Sequence, residues 1–400
     1  MKTERFTVLR DGLKIHGIAY LSSENDAKKA PALILSHGFL CNYTCFEFFG
    51  EKFCEYGMNV FCYNFCGGSS KDEFEYKSDG DSRDMCISSE IADLTAVFEY
   101  VQGLPYVDSS SIYLMGESQG AFVSGLTAAK LQEKIKKLIM IYPAVCIPDH
   151  ARRGVLGGGN YDPKNPPQEI ELPATTLGKG FHDDVVEWDA YSKLAEYKGP
   201  VLLIQGTDDD IVVPQYQYIV KDSFDKTDKN VTHRCKLQII RGMGHATLSP
   251  YRETIVDSVR QFIEDKEEIL TFRIIVTKVE TVENPQVPDK FSDRTEKLHF
   301  QDVYFTGYSE CDLFTGTVTE GVDHQIYDGD ECLQMLAEYT FVGVDSDGQT
   351  CRLDVVNKKG GIDWKPVIKT DSEKLKWLES TDLTAVVEAG ALGPTIRIYK

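Results

Sequence analysis

Nowhere in the 400 residues does an apolar run approach the roughly 18 residues that a bilayer-spanning helix requires. The opening stretch, Met1-Lys2-Thr3-Glu4-Arg5-Phe6-Thr7-Val8-Leu9-Arg10-Asp11, is charged and has no apolar h-region of the kind a secretory leader carries. Positive charge is also scarce. Lys and Arg number 43 against 63 Asp and Glu, a net charge of −20 with no basic stripe, which argues against nucleic acid or an anionic membrane as partner. The closest cysteine pairs, Cys41/Cys45 and Cys62/Cys66, lie in apolar aromatic stretches without histidine nearby, so neither a metal nor another cofactor is expected. The eleven cysteines are an odd number scattered through strand-like and helical segments. They read as free, mostly buried thiols of a reducing compartment, and a cytoplasmic location is the expectation.

What the chain does contain is Gly116-Glu117-Ser118-Gln119-Gly120, a serine between two glycines. The residues before it, Ser111–Met115, are short and apolar like a buried strand, whereas Ala121–Ala129 has helical composition and length. Strand, tight turn and helix in that order form a nucleophile elbow, with glycines where side chains would collide with neighbouring elements.

A serine hydroxyl needs a base to take its proton and a third group to orient that base. Val201–Gln205 reads as a buried strand running into Gly206-Thr207-Asp208-Asp209-Asp210, and Lys236–Ile240 as another that ends in Arg241-Gly242-Met243-Gly244-His245. Both loops lie at carboxyl ends of strands, where open α/β sheets place their sites. The order Ser118, Asp209, His245 is that of an α/β-hydrolase. Asp209 is preferred because it stands three residues after the glycine that ends the strand, with Asp208 as the alternative. A further apolar strand, Ala32–Ser36, ends in His37-Gly38-Phe39 and directs the Phe39 amide toward a developing oxyanion. With the Gln119 amide it makes a two-donor hole, each donor worth about 3–4 kcal/mol of transition-state stabilisation. His37 reads as a brace for that loop. His16, His150, His182, His233, His299 and His324 lack the glycine-flanked position after a strand and read as surface or structural residues.

Along the chain, Phe6–Leu9 and Lys14–Tyr20 flank an Asp11-Gly12 turn and predict an opening hairpin. Helical patterns at 44–56 and 88–102 alternate with strands at 59–63 and 138–142, predicting a mainly parallel sheet with helices on both faces. A connection of some fifty residues, about 144–196, leaves the sheet edge where the serine sits and is read as an inserted cap. After a helical stretch at 251–267, the alternation of Leu270–Val279 and short segments punctuated by Gly and Asp turns predict an all-β antiparallel barrel or sandwich. The expected domains are therefore 1–268 and 269–400.

The first of these resembles the cinnamoyl and feruloyl esterases of the α/β-hydrolase superfamily. The matching residues are Ser36-His37-Gly38-Phe39, Tyr63-Asn64-Phe65 followed by Gly67-Gly68-Ser69-Ser70, Gly116–Gly120, Tyr161-Asp162-Pro163-Lys164-Asn165, Gly206-Thr207-Asp208-Asp209 and Gly244-His245. In that family an Asp and a Tyr of the cap approach the phenolic hydroxyls of the substrate. The resemblance implies Asp149 for the first, while His182 beside Phe181 stands at the tyrosine's place. The family's Arg-Gly-His-Gly run is here Phe65-Cys66-Gly67-Gly68. The second domain resembles an uncharacterised bacterial family of small β-barrels, through Phe314–Val318, Gly321–Gln325, Glu338-Tyr339-Thr340 and Asp347-Gly348, with Glu338 where that family carries arginine.

The expectation is thus a serine carboxylic-ester hydrolase acting through an acyl-enzyme on Ser118, with His245 as base and Asp209 as its orienting acid. An aromatic, hydroxycinnamate-like acyl group is expected, because Tyr161, Phe181 and Trp188 belong to the cap alongside Asp149 and His182. Other acyl esters, thioesters and acyl-peptides stay open, as does a non-catalytic receptor role. The expected partner is the small-molecule ester itself, with a homodimer as an open alternative.

Overall fold

A computed structural model describes residues 1–22, 29–68, 76–226, 234–246, 251–283, 285–291, 297–360, 363–390 and 392–400. Ser69, Ser70 and His233, singled out above, lie outside them. Two compact units divide between Leu248 and Ser249.

The first unit is an eight-stranded mixed sheet. It opens with a hairpin, β1 (Lys2–Arg10) and β2 (Leu13–Leu21), whose turn residues Asp11 and Gly12 both have positive φ, as a two-residue hairpin turn of matching twist requires. Then come β3 (Ala30–Ser36), α1 (Glu47–Glu55), β4 (Asn59–Tyr63), α2 (Ile87–Gln102), β5 (Val107–Glu117), α3 (Ser118–Leu131) and β6 (Lys137–Ile141). The inserted segment carries α4 (Ile147–Arg153), the short strands β7 (Glu169–Glu171) and β8 (Thr176–Gly178), α5 (Lys179–Val185) and α6 (Ala190–Leu194). Next are β9 (Val201–Gly206), α7 (Gln215–Lys226) and β10 (Cys235–Ile240).

The strand order is β1-β2-β4-β3-β5-β6-β9-β10, antiparallel at the first two pairs and parallel beyond. β4, β6 and β9 are buried along their whole length, the signature of a sheet covered on both faces. From β3 the chain first steps outward to β4 and then returns to the other side at β5. The crevice beyond the carboxyl ends of β3 and β5 is therefore the topological switch point, where such sheets bind ligands. Register pairs Ser36 with Gly116, so His37 and Ser118 emerge side by side. Deep polar bonds hold this edge together. Asp93 of α2 accepts from Arg10 Nε at 2.7 Å and from the Cys66 amide at 2.8 Å.

One expectation is corrected. Cys41 and Cys45 are joined by a disulfide, their Cα atoms 6.8 Å apart across the 3-10 turn Tyr43–Phe46. That tight turn brings positions four apart onto one side, which scattered spacing does not reveal. Among the described residues the other nine cysteines are free and six of them are buried.

The second unit contains α8 (Tyr251–Ile263) and a closed antiparallel barrel of β11 (Glu268–Thr281), β12 (Leu298–Glu310), β13 (Phe314–Asp328), β14 (Glu331–Asp345), β15 (Thr350–Gly360), β16 (Asp363–Thr370), β17 (Thr384–Glu388) and β18 (Thr395–Tyr399). Four of these strands run 13–15 residues rather than being short. Their length survives the curvature because register shifts at Val276/Lys278, Tyr304/Tyr308 and Val318/Glu320 bend the strands without ending them. Closure is reinforced by Arg397 of β18, which donates to Glu388 Oε1 at 2.6 Å on β17 and to Glu268 Oε1 at 2.9 Å on β11. Among the described residues no helix is long and apolar enough to cross a membrane.

Candidate active site

Ser118 opens α3 with φ of +52°, a left-handed backbone that a side-chain-bearing residue adopts only where its surroundings impose it. The imposing contacts are visible at the flanking glycines. A Cβ on Gly116 would collide with the Gly120 carbonyl, and one on Gly120 with the carbonyl oxygens of Ser36 and His37. β3, the elbow and α3 thus touch backbone to backbone. α3 behind the elbow is buried from Gln119 to Ala129, which anchors the turn in the core.

His245 Nε2 lies 2.9 Å from Ser118 Oγ, and its Nδ1 lies 2.9 and 3.1 Å from the two carboxylate oxygens of Asp209. Because Asp209 accepts at Nδ1, the ring proton sits there and Nε2 is left to accept from the serine hydroxyl. Asp209 is itself over-determined. Its Oδ1 accepts from the amides of Ile211 and Val212 at 3.0 and 2.8 Å, and its Oδ2 from Gln205 Nε2 at 3.1 Å. Burial pulls its acidity toward the neutral form, yet the bonds from His245, the Val212 amide and Gln205 outweigh this and hold the carboxyl below the ordinary range. Asp208 instead accepts from the Thr207 hydroxyl at 2.6 Å on the exposed side of the turn. Tyr142, immediately after β6, packs its ring 4.6 Å from that of His245, a contact the sequence reading did not anticipate.

His37 is buried and fully engaged. The Phe65 amide donates to its Nε2 at 3.1 Å, so the proton is on Nδ1, which donates to the Gly38 carbonyl at 2.8 Å. Burial lowers its pKa to about 4 against the opposing Gly38 bond, so the ring stays neutral and ties the β3 loop to the β4 loop. A Cβ added at Gly38 would come within 3.3 Å of the Ser118 Cβ, so the glycine leaves room beside the serine, and Phe39 follows it. The Gln119 amide belongs to the first turn of α3, where helix N–H groups have no intrahelical acceptor. The Gln119 side chain donates at 2.8 Å to Glu90, a fully buried acid of α2 whose pKa burial pushes up to about 8.

Beside Ser118 lies a cavity of about 120 Å³, lined by Phe39, Gln119, Phe181, Leu156 and Val212 among others, with His150 of the cap on its wall. The cap is pinned over it. Ser82 Oγ donates to the Thr176 carbonyl at 2.8 Å, and Asp184 accepts from the Ser88 amide at 2.8 Å and its hydroxyl at 2.5 Å. Of the cap residues named from sequence, Phe181 lines the cavity and Asp149, Tyr161, His182 and Trp188 do not. Asp149 pairs with Arg152 on its own helix, while Arg152 also donates to the carbonyls of Val186 and Trp188. Helical spacing explains the exchange. Cys146, Ile147 and His150 share the face toward the cavity, and Asp149 falls off it. His182 Nδ1 and the Tyr161 hydroxyl are hydrogen-bonded at 2.8 Å, joining α5 to the segment after α4. His150, read from sequence as structural, lines the cavity one helical turn after Cys146 and Ile147, and that i, i+1, i+4 spacing was the available signal.

Residues 48–266, more than half of the chain, match the model of the prolyl oligopeptidase family. The chain belongs to that family. Among solved structures it is similar to Est1E from Butyrivibrio proteoclasticus with ferulic acid bound, at 25% identity and a TM-score of 0.56, over 65% of this chain and 98% of that one. It shares the fold of DcsB, solved with a substrate analogue, at 22% identity and a TM-score of 0.52, over 66% of this chain and 99% of that one. GrgF from Penicillium sp. sh18 is similar at 18% identity and a TM-score of 0.50, over 66% of this chain and 98% of that one. No match is found among curated proteins. The first unit is accordingly a serine-hydrolase-type enzyme of the α/β-hydrolase fold, fused to a closed β-barrel.

Proposed function

We propose that the first unit hydrolyses carboxylic esters with an aromatic acyl group, hydroxycinnamates foremost, through an acyl-enzyme on Ser118. The observation that carries this is the unbroken hydrogen-bonded series Asp209–His245–Ser118 opening onto an apolar cavity walled by Phe39 and Phe181. His245 takes the Oγ proton as Oγ bonds the ester carbonyl carbon, and Asp209 stabilises the imidazolium. The Phe39 and Gln119 amides receive the oxyanion. Collapse expels the alcohol, which leaves with the proton from His245; water then repeats the attack and releases the acid.

His150 takes the recognition role expected of Asp149. Burial and the Arg153 charge hold its imidazole neutral against the opposing pull of Asp149, and a neutral imidazole both donates to and accepts from a ring hydroxyl. Similarity to Est1E supports the acyl class. The test is initial rates on methyl ferulate, chlorogenate and p-nitrophenyl butyrate for the parent and Ser118→Ala proteins. Serine-dependent hydroxycinnamate cleavage faster than butyrate cleavage is expected. Butyrate activity alone discards the aromatic reading.

The family match favours a second reading, acyl-peptide hydrolysis, in which the imidazolium protonates a leaving amine. Serine-dependent release of p-nitroaniline from an N-acyl dipeptide anilide, with no ester preference, would select it.

A further inference from the structure

The barrel is filled along only part of its length. Inward-facing positions alternate along each strand, so successive inward residues sample successive depths. At one depth Phe272, Phe314, Tyr339 and Phe341 close-pack, with ring centroids 4.5–6.0 Å apart. Farther along the same strands the inward residues become Ile274 and Val276 on β11, Ala337 and Met335 on β14, and a cavity of about 290 Å³ replaces the packed rings. Val276 is 38% exposed, so this end communicates with solvent.

The wall is mostly apolar, with Phe305, Trp364 and Ile396 among its members, but three polar side chains converge on it: Asp323, Gln325 and Asn357. Gln325 is engaged at both its oxygen and its nitrogen. Its Oε1 accepts from Gln301 Nε2 at 2.7 Å and from the Tyr327 hydroxyl at 2.8 Å, while its Nε2 donates to Asp323 Oδ2 at 2.6 Å. Asp323 Oδ2 accepts from Gln325 and the Leu336 amide also lies beside the carboxyl, while the buried Oδ1 makes no hydrogen bond of normal geometry among the described residues. Asn357, 1% exposed, likewise has an unpartnered Oδ1. A buried acceptor without a donor costs free energy that a folded protein ordinarily avoids. Two of them on one apolar cavity are accounted for by a molecule that brings the donors.

We propose that the barrel is a binding site for a small, largely apolar molecule whose one polar end donates hydrogen bonds to these acceptors, an ammonium to both Asp323 Oδ1 and Asn357 Oδ1 or a hydroxyl to one of them. The volume is close to the lower bound of small-molecule sites, which suits a single ring with a short arm. A carboxylate end is rejected, because it would face two acceptors. Burial raises the Asp323 pKa against the Gln325 bond, the His324 charge and the Leu336 amide, and an ammonium head would draw it back toward the charged form.

The test is calorimetric titration of the full chain with phenethylamine, 2-phenylethanol and phenylacetate, repeated on Asn357→Leu and on Ala337→Phe, which fills the cavity. Ester hydrolysis by the first unit and the thermal transition of each variant report folding. Binding of either donor probe, weakened about tenfold by Asn357→Leu and abolished by Ala337→Phe while phenylacetate does not bind, is the expected result. Equal binding of phenylacetate, donor-probe binding that survives Ala337→Phe, or no binding of either donor probe at millimolar concentration overturns the proposal. Should Asn357→Leu misfold, Asp323→Asn supplies the same comparison, since it turns a two-acceptor group into one that also donates.

Discussion

The two units each have a cavity with polar groups on or beside it, but the catalytic series of the first and the wall acceptors of the second are bonded in opposite ways. Beside the elbow, each member of the Asp209–His245–Ser118 series is hydrogen-bonded to the next, and Asp209 is locked by two amides and Gln205 besides. In the barrel, Asp323 and Asn357 each keep an oxygen without a partner. A group that moves a proton must be held to a fraction of an ångström before the substrate arrives, so its bonds are internal. A group that recognises a ligand is useful only if its bond is still to be made. Partnering of this kind separates a reaction centre from a receptor more sharply than cavity volume, since the barrel cavity is the larger.

This contrast is broken most directly at Ser118. Ser118→Ala is expected to lower kcat by about 10⁴–10⁶-fold with donor-probe binding in the barrel unchanged, measured by steady-state kinetics and calorimetry on one preparation. Asp209→Asn should lower kcat by about 10⁴-fold by favouring the wrong tautomer of His245, while Asp208→Asn, on the exposed side of the turn, should leave kcat at the parent level; equal losses would show that the locked carboxylate is not the one that matters. Gly120→Ala sets a Cβ against the Ser36 and His37 carbonyls and should cost about 1–3 kcal/mol of stability in denaturant titration, together with activity.

A subtler test concerns Glu90, the buried acid under Gln119. Its carboxyl is raised from 4.5 to about 8 by burial, with the Gln119 bond opposing and Asp93 adding to the rise. The folded state therefore holds a proton that the unfolded chain releases, and this group's stabilising contribution, full below pH 4.5, declines as pH rises toward 8. Glu90→Gln should flatten that decline in urea titrations run across the interval; an unchanged slope would place its origin elsewhere. The smallest effect belongs to Asp149→Ala. With its carboxylate spent on Arg152 and off the cavity, hydroxycinnamate rates should stay near the parent, whereas His150→Leu should raise KM for hydroxylated rings more than for unsubstituted cinnamate.

The legible parts of the molecule were those in which neighbouring residues carry the constraint. The elbow needs glycine at both flanks because carbonyl oxygens press on it from either side. The Asp11-Gly12 hairpin, the buried runs of β4 and β9 and the alternation of β11 were all visible for the same reason. The cap was not legible in this way. Asp149 and His150 are adjacent in sequence and equally polar, and only the rotation of α4 against the cavity separates the one that faces it from the one paired with Arg152. The Cys41–Cys45 disulfide depended likewise on a 3-10 turn that composition does not announce.

The amino-acid sequence by itself therefore determined the α/β and all-β halves, the turn that lifts Ser118 and the chain order in which an acid and an imidazole follow it. These rest on backbone sterics and hydrophobic period, which act over a few residues. Tertiary structure alone decided that His150 and not Asp149 lines the cavity, and that two acceptors on the barrel cavity are left without donors. Those outcomes depend on which faces pack together across distances that no local pattern encodes, because a side chain's partners are set by the elements that fold against it.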